Sequence, residues 1–307
     1  MTGRRVTQQG GARFGGIELG GTKTIAVLAQ DDTIIARETI PTTLPAETLA
    51  AAHEQLARWH AQARLDGVGI ASFGPIRLDR AAPDFGHMLP TPKPGWAHAD
   101  VAGRLMRGID CPWTIDTDVN GAALAEYRWG GGVGLDSLCY ITIGTGIGGG
   151  LLIGGRPVHG AMHPEIGHVR TRRVVGDMFA GTCPFHGDCL EGLVSGPALA
   201  ARFGRPMDEV DDDDPLWAHV VADLAEICAM LLLTTAAQAI LFGGGVAVGR
   251  AFLFPRVRAR TLELLGDYLP AVDARSAATM IAPAHLGDRA GILGSIALAQ
   301  DAARRQR

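Results

Sequence analysis

The sequence predicts an α/β protein of two domains, each built on its own sheet. Three observations carry this expectation. Short runs rich in Val, Ile and Leu alternate with helical segments along the whole chain. A strand–glycine turn–strand pattern occurs early, FGGIELGGTKTIAVLA (Phe14 to Ala29), and again at mid-chain, SLCYITIGTGIGGGLLIGG (Ser137 to Gly155). The length, 307 residues with 47% apolar, is enough for two ordinary domains. We expect a tail over 1–13, a first domain over 14–118 and a second over 119–288. A closing helix from about 289 to 303 is expected to return to the first domain. A cleft between two such domains, able to hinge, is the natural place for a ligand.

The elements follow in order. Phe14 to Ala29 reads as two strands around a glycine turn, and Ile34 to Thr39 as a third. Leu49, Ala52, Leu56, Trp59 and Ala63 recur at spacings of three and four, the period of an amphipathic helix. VGIAS, Val68 to Ser72, is a buried strand that runs into Phe73-Gly74-Pro75. A proline-rich loop follows, LPTPKPGW, Leu89 to Trp96. Trp113 to Ile115 reads as a strand, and a helix runs from about Val119 to Trp129. The second half repeats the pattern with the strand SLCYITIG, the turn GTGIGG and the strand GLLIGG. A long helix (about Leu216 to Ala237), the strand AILFGGGV, a helix from about Arg250 to Leu265 and a strand at Thr279 to Ile281 complete it. The acidic run Asp211 to Asp214 reads as a solvated loop.

Composition removes several function classes. A net charge of −4 argues against broad, charge-driven binding of nucleic acid. MTGRRVTQQGGAR has two arginines with no apolar stretch behind them, so no secretory signal is expected. Thr234, Thr235 and Gln238 interrupt the longest apolar region, Ile227 to Phe242, which reads as a buried helix and strand rather than a membrane span. Five cysteines, Cys111, Cys139, Cys183, Cys189 and Cys228, make an odd number that fits a reducing cytoplasm better than a disulfide framework.

Three glycine turns follow apolar strands: Leu19-Gly20-Gly21-Thr22-Lys23, Ile143-Gly144-Thr145-Gly146 and Phe242-Gly243-Gly244-Gly245. Backbone N–H groups at such turns can converge on a phosphate, and missing side chains allow close approach. The alternative is that all three are ordinary hairpin turns, which also favour glycine. Gly144 to Gly149 formally matches G-x-G-x-x-G, but a dinucleotide site needs a helix next. Leu151-Leu152-Ile153 and a further Gly-Gly follow instead, the pattern of a hairpin strand. No Gly-Lys pair occurs, so a Walker A loop is excluded.

Two further constellations bear chemistry. DTDVNGAALAEYRWG runs from a strand end into a helix, and Asp118 falls at the helix N-terminus. Asp116 or Asp118 could act there simply as an N-cap. Phosphoryl transfer to an alcohol, by contrast, needs a carboxylate at the acceptor hydroxyl. CPFHGDC places Cys183, His186 and Cys189 in C-x2-H-x2-C spacing, which suits zinc. A fourth ligand is required, and HPEIGH upstream offers His163 and His168. The rival readings are a satisfied histidine beside two inert thiols, and a nucleic-acid zinc module favoured by Arg170, Arg172 and Arg173.

In order and spacing, IELGGTK, TDVNGAA, TIGTGIGGG, HPEIGH, CPFHGDCLEGLVSGPA and ILFGGGV resemble the ROK family of sugar kinases, and within it the fructokinase branch. The resemblance runs from about Phe14 to Ala299. It implies the actin-like ATPase (ribonuclease H-like) fold, with two α/β domains closing over ATP and sugar. By position it makes Asp118 the catalytic base that deprotonates the sugar hydroxyl. Gly20, Gly21, Thr22 and Lys23 would form the first phosphate loop, Thr145 and Gly146 the second, and Gly243, Gly244 and Gly245 the adenosine side. Gly74, Pro75, Thr117, Asp118, Glu165, His168 and Glu191 would face the sugar. Glu18 stands where most members carry the aspartate that assists Mg2+, and Thr117 where the glucokinases carry asparagine. His168 would join Cys183, His186 and Cys189 around a structural Zn2+, bracing the loop that presents Glu165 and Glu191. His163 is then a hydrogen-bonding loop residue.

The activity so implied is transfer of the γ-phosphoryl of MgATP to D-fructose, giving fructose 6-phosphate. The enzyme would be a cytoplasmic homodimer without nucleic-acid or membrane partners. The residues alone do not choose fructose over mannose or glucose, so a mannokinase or glucokinase stays open. A sugar-responsive repressor of the same family is the alternative of another class. Such repressors carry a helix-turn-helix segment before the first phosphate loop, and the 13 residues ahead of Phe14 are too few for one.

Overall fold

The computed structural model describes residues 11–305, and the first ten residues of the expected tail lie outside them. The chain forms two compact units. One takes the chain up to Asp118 and the C-terminal segment from Ile292; the other is Val119–Gly291.

The first unit opens with three antiparallel strands, β1 (Arg13–Leu19), β2 (Lys23–Gln30) and β3 (Thr33–Pro41). Helix α1 (Pro45–Gln62) buries Leu49, Ala52, Leu56 and Trp59, four of the five positions that its periodicity marks. Each large side chain among them contributes about 1.5–3 kcal/mol by leaving water. Ala63 is the residue at which the helix ends. Strand β4 (Gly67–Ser72) pairs in parallel with β1, and after the short helix α2 (Val101–Leu105), β5 (Trp113–Thr117) pairs in parallel with β4. The sheet order is β3-β2-β1-β4-β5. Its apolar core gathers Ile17, Leu19, Leu28, Leu49, Leu56, Ile70, Met88, Trp96 and Ile115.

The second unit repeats this plan. Helix α3 (Asp118–Trp129) leads into the antiparallel strands β6 (Ser137–Ile143), β7 (Ile147–Ile153) and β8 (Arg156–Pro157). Two short helices, α4 (Leu190–Val194) and α5 (Gly196–Phe203), precede the long α6 (Trp217–Thr235). Strand β9 (Ala239–Gly243) joins β6 in parallel, followed by α7 (Gly245–Gly249), α8 (Leu253–Leu265) and α9 (Ala274–Met280). Strand β10 (Ile281–Pro283) closes the sheet in the order β10-β9-β6-β7-β8. Read outward from β8, this is the same arrangement as in the first unit, three antiparallel strands and then two parallel ones. Helix α6 is apolar and long enough to cross a membrane, yet 61% of its apolar window is buried, and Trp217, Val220, Leu224 and Cys228 lie in the core of this unit.

Two expectations change. Thr279 lies in α9 rather than in a strand, because Asp273 and Ser276 form a reciprocal capping box that starts a helix there. The strand begins only at Ile281. The helix expected from about Arg250 to Leu265 is α8, which begins at Leu253, and a short helix not expected from the sequence, α7, precedes it directly at the third glycine turn.

Helix α10 (Ala290–Arg304) returns to the first unit, where its backbone comes close to β4 at Gly69. A methyl group at Gly69 would sit 2.0 Å from the Ser295 carbonyl oxygen and 2.5 Å from the Ala299 nitrogen. Gly69→Ala is therefore expected to push α10 off the sheet and cost about 1–3 kcal/mol or more. Chemical denaturation of the purified variant measures this, and an unchanged midpoint would refute the packing argument.

Candidate functional site

In the first unit, β1 ends in the turn Gly20–Thr22. The turn is closed by the Gly20 amide donating to the Lys23 carbonyl at 3.1 Å, and the Thr22 carbonyl accepts from the Thr42 amide at 3.0 Å. Gly21, Thr22 and Lys23 are exposed. Glu18 lies one residue from the end of β1, in register with Ile25 on β2 and Ala71 on β4. Gly74 and Pro75 follow β4 after one residue, Phe73. Strand β5 carries Asp116 and Thr117, both buried, and delivers Asp118, half-buried, as the first residue of α3. The two aspartates thus part company. The Asp116 carboxylate accepts from the Thr117 amide at 2.8 Å inside the strand, while Asp118 stands where the chain passes into the second unit.

The second unit holds the other two turns. Gly144 to Gly146 is a tight hairpin in which the Gly144 amide donates to the Gly146 carbonyl at 2.9 Å. An antiparallel strand begins at Ile147, so the turn is not the start of a dinucleotide-binding helix. The third turn is of another kind, because Gly243 ends β9 and Gly245 begins α7. Gly244, with φ of 84°, is in a conformation that glycine adopts freely, and a side chain there would strike the Ile143 carbonyl at 2.3 Å. The last residue of β6 and the third turn are therefore in backbone contact. The N-terminal turn of α3 rests on β7 in the same manner, since a methyl at Gly150 would lie 2.1 Å from the Val119 carbonyl oxygen.

Sequence reasoning missed two partners of the second turn. The Glu191 carboxylate accepts from the Ile147 amide at 2.9 Å, and the Gly196 amide, at the start of α5, donates to the Gly144 carbonyl at 2.8 Å. The signal was the unbroken CLEGLVSGPA, in which Ser195 caps α5 by accepting from the Ala198 amide. Glu165 lies near Glu191, and burial together with that neighbouring charge pushes its carboxyl up to about 7. His163 is buried, its Nδ1 3.3 Å from a Glu165 oxygen, and lies outside the cysteine cluster.

His168, Cys183, His186 and Cys189 do come together. His168 ends a 3₁₀ turn (Ile166–His168), and Cys183 and Gly187 close a tight loop with reciprocal backbone bonds of 3.1 and 2.9 Å. The His168 Nδ1 is 3.8 Å from the Cys183 sulfur and 3.6 Å from that of Cys189, and the His186 Nδ1 is 3.8 Å from Cys183. All four donor atoms fall within 4.8 Å of one another. Tetrahedral bonds of about 2.0–2.3 Å to nitrogen and sulfur require separations of about 3.3–3.8 Å, so the cluster has the dimensions of a closed zinc site. Burial, opposed by the Gly192 amide and reinforced by Cys183 and Glu191, pushes the Cys189 thiol up to about 11. A bound cation reverses that preference by stabilising the thiolate. Cys139 and Cys228 are interior thiols of the same unit, raised by burial alone or chiefly by burial.

A charge network ties this loop to the helices beneath it. Arg202 on α5 reaches Asp177 at 3.2 Å and Asp223 on α6 at 3.1 Å, and both Arg202 and Asp223 have side chains 2% exposed. Arg173 bonds Asp177 at 2.7 Å, and the Thr171 hydroxyl donates to Asp223 at 3.1 Å. Burial opposes the Asp177 carboxylate, but bonds from Arg173 and the Phe179 amide and the Arg202 charge outweigh it and hold its pKa below the usual range. The acidic run is also tied down, Asp212 by Arg250 at 2.8 Å and Asp214 by Arg205.

Known proteins match this chain over most of its length. The ROK family model matches residues 14–302. A fructokinase of Zymomonas mobilis is 41% identical over 292 residues, covering 93% of this chain and 96% of its own. A fructokinase of Pediococcus pentosaceus is 38% identical over 292 residues, covering 94% and 98%. Among solved structures, the ROK hexokinase from Thermus thermophilus superposes with a TM-score of 0.76 at 26% identity, covering 95% of this chain and 99% of that one.

Removing one member of the buried network tests its role as an anchor. Arg202→Met leaves Asp223 buried without its cation and is expected to cost about 3–5 kcal/mol in urea denaturation. Replacing Arg202 and Asp223 together by apolar residues is expected to cost less than the single change. Equal losses would mean the charges are not coupled.

Proposed function

The chain belongs to the ROK family, and on that footing we propose that it is an ATP-dependent fructokinase, transferring the γ-phosphoryl of MgATP to D-fructose to give fructose 6-phosphate. The observation that carries this reading is the Asp116-Thr117-Asp118 segment. The Asp116 carboxylate accepts from the Thr117 amide inside the strand, and Asp118 is the first residue of α3, whose first turn packs on β7, the strand that leaves the second glycine turn.

Asp118 is the general base. It takes the proton of the attacking sugar hydroxyl as that oxygen bonds the γ-phosphorus and the bond to the β–γ bridging oxygen breaks. With the Gly20 and Gly144 amides closing their turns, the amides of Gly21 and Thr22 in the first turn and of Thr145 and Gly146 in the second, with the Lys23 ammonium, hold the polyphosphate and offset its charge. Gly243 to Gly245 leave room for the adenosine. Gly74, Pro75, Thr117, Glu165, His168 and Glu191 form the sugar side. The Ile147 amide fixes one oxygen of the Glu191 carboxylate, which supports a positioned role for it.

Two metals belong to this reading. Glu18 supplies a hard oxygen donor next to the first turn, the chemistry Mg2+ prefers. Mg2+ bound with the nucleotide neutralises phosphate charge. His168, Cys183, His186 and Cys189 fit Zn2+ with all four positions filled by protein, which is the pattern of a structural site. There it fixes the segment from Glu165 to Glu191. A cytoplasmic homodimer without nucleic-acid or membrane partners completes the reading; the net charge of −4 and the buried face of α6 support the last two points.

Asp118→Asn is expected to bind ATP normally while kcat falls by roughly 10²–10⁴-fold. A coupled ADP-release assay with fructose, mannose and glucose at equal concentration should favour fructose; preference for another hexose would replace the substrate, and no release with any sugar would remove the activity. Elemental analysis should find one zinc per chain. Its removal by a chelator should raise KM for the sugar more than KM for ATP, whereas a protein free of zinc with full activity would end the bracing role.

A further inference from the structure

Of the 28 basic side chains apart from histidine, 26 are arginine and two are lysine. Both lysines are at the first glycine turn. Lys23 is part of it, and Lys93 reaches it from the proline-rich loop seventy residues further on, donating from its ammonium to the Gly21 carbonyl. We propose that Lys93 is a second phosphate-binding cation of this turn, contacting the β- and γ-phosphates of the nucleotide. The inference rests on the kinase reading above and deepens it.

The loop is built to hold Lys93 in place. Trp96 is fully buried, its indole N–H donates to the Thr43 carbonyl at 2.9 Å, and its ring meets Phe73 edge-on at 5.0 Å between centroids. A four-residue turn from Lys93 to Trp96, closed by the Trp96 amide donating to the Lys93 carbonyl at 3.2 Å, ties Lys93 to this anchor. The Lys93 amide in turn donates to the Thr91 hydroxyl at 3.4 Å. The ammonium stands 5.8 Å from the centre of the Phe73 ring, within range of a cation–π attraction.

An ammonium has three donors. One is used by Gly21, and two remain for oxygens arriving at the exposed face of the turn. Lysine suits this task because it is a compact point charge whose donors rotate to follow a phosphate, whereas arginine presents a planar fork. The chain uses arginine almost everywhere else, including every buried ion pair described above. Retaining lysine at these two positions is what a turn facing a mobile phosphoryl group requires.

Calorimetric titration of the wild-type protein and Lys93→Met with a non-hydrolysable ATP analogue and with AMP tests the inference. Losing a charged hydrogen bond should weaken the analogue by roughly 10- to 100-fold while AMP changes less than about twofold. Lys93→Arg should recover part of the loss. A lysine that only staples the loop would weaken both nucleotides alike or neither, and either result overturns the proposal. A wild-type protein that binds no nucleotide would overturn the kinase reading and this inference together. Should Lys93→Met fail to fold, lysine-directed reductive methylation of the wild type still decides the question. Saturating analogue should protect Lys93 where saturating AMP does not; equal protection, or none, counts against the proposal.

Discussion

Backbone can approach backbone closely only where no side chain stands in the way, and both sheets are built around glycine turns that meet this constraint. Each begins with an antiparallel hairpin whose turn is glycine-rich, then adds parallel strands on the other side. The hairpin puts its turn at one end of the sheet, and the parallel strands end at that same end, so that β5 brings Asp118 and β9 brings Gly243 to Gly245. The close contacts of Gly150 with Val119 and of Gly244 with Ile143 are the cost of stacking backbone on backbone without intervening side chains.

Around this frame the second unit adds a rigid support. The segment between Glu165 and the start of α4, whose second residue is Glu191, has little regular structure, a 3₁₀ turn and a two-residue bridge. It is held at two levels. The cysteine–histidine cluster gathers its ends, and the Arg173–Asp177–Arg202–Asp223 network fastens its middle to α5 and α6. Buried charges of this kind add little net stability when every partner is present, because desolvation offsets attraction. Their value lies in allowing one arrangement of the loop and penalising others.

Much of this was legible in the sequence because it is periodic or local. The alternation around the first two glycine turns gave the hairpins, the spacing from Leu49 to Trp59 gave α1, and seven residues of CPFHGDC gave three of the four clustered donors. What escaped was either short or distant. Helices α4 and α5 span five and eight residues, too few for a period to declare itself. Thr279 to Ile281 looked like a strand because three β-compatible residues cannot be told from the end of a capped helix. Arg202 and Asp223 lie 21 residues apart, and Glu191 meets Ile147 across 44, so no local pattern announces either pair. Lys93 was visible only as part of a proline-rich loop; its reach to Gly21 spans 72 positions.

The first unit is completed by residues more than 200 positions beyond its fourth strand, the segment from Ile292. Gly16 and Gly69 are shaped to receive α10, with Ser295 packed against both, so one face of the earliest sheet has no permanent cover until α10 is made. At about 5–20 residues per second, an interval of roughly ten seconds or more separates synthesis of β4 from the arrival of its covering helix. The second unit, contiguous in sequence, can mature during that interval. The half of the protein made first is thus the half finished last, and an early stop before Ile292 would leave an apolar sheet open to aggregation rather than a slightly shortened enzyme.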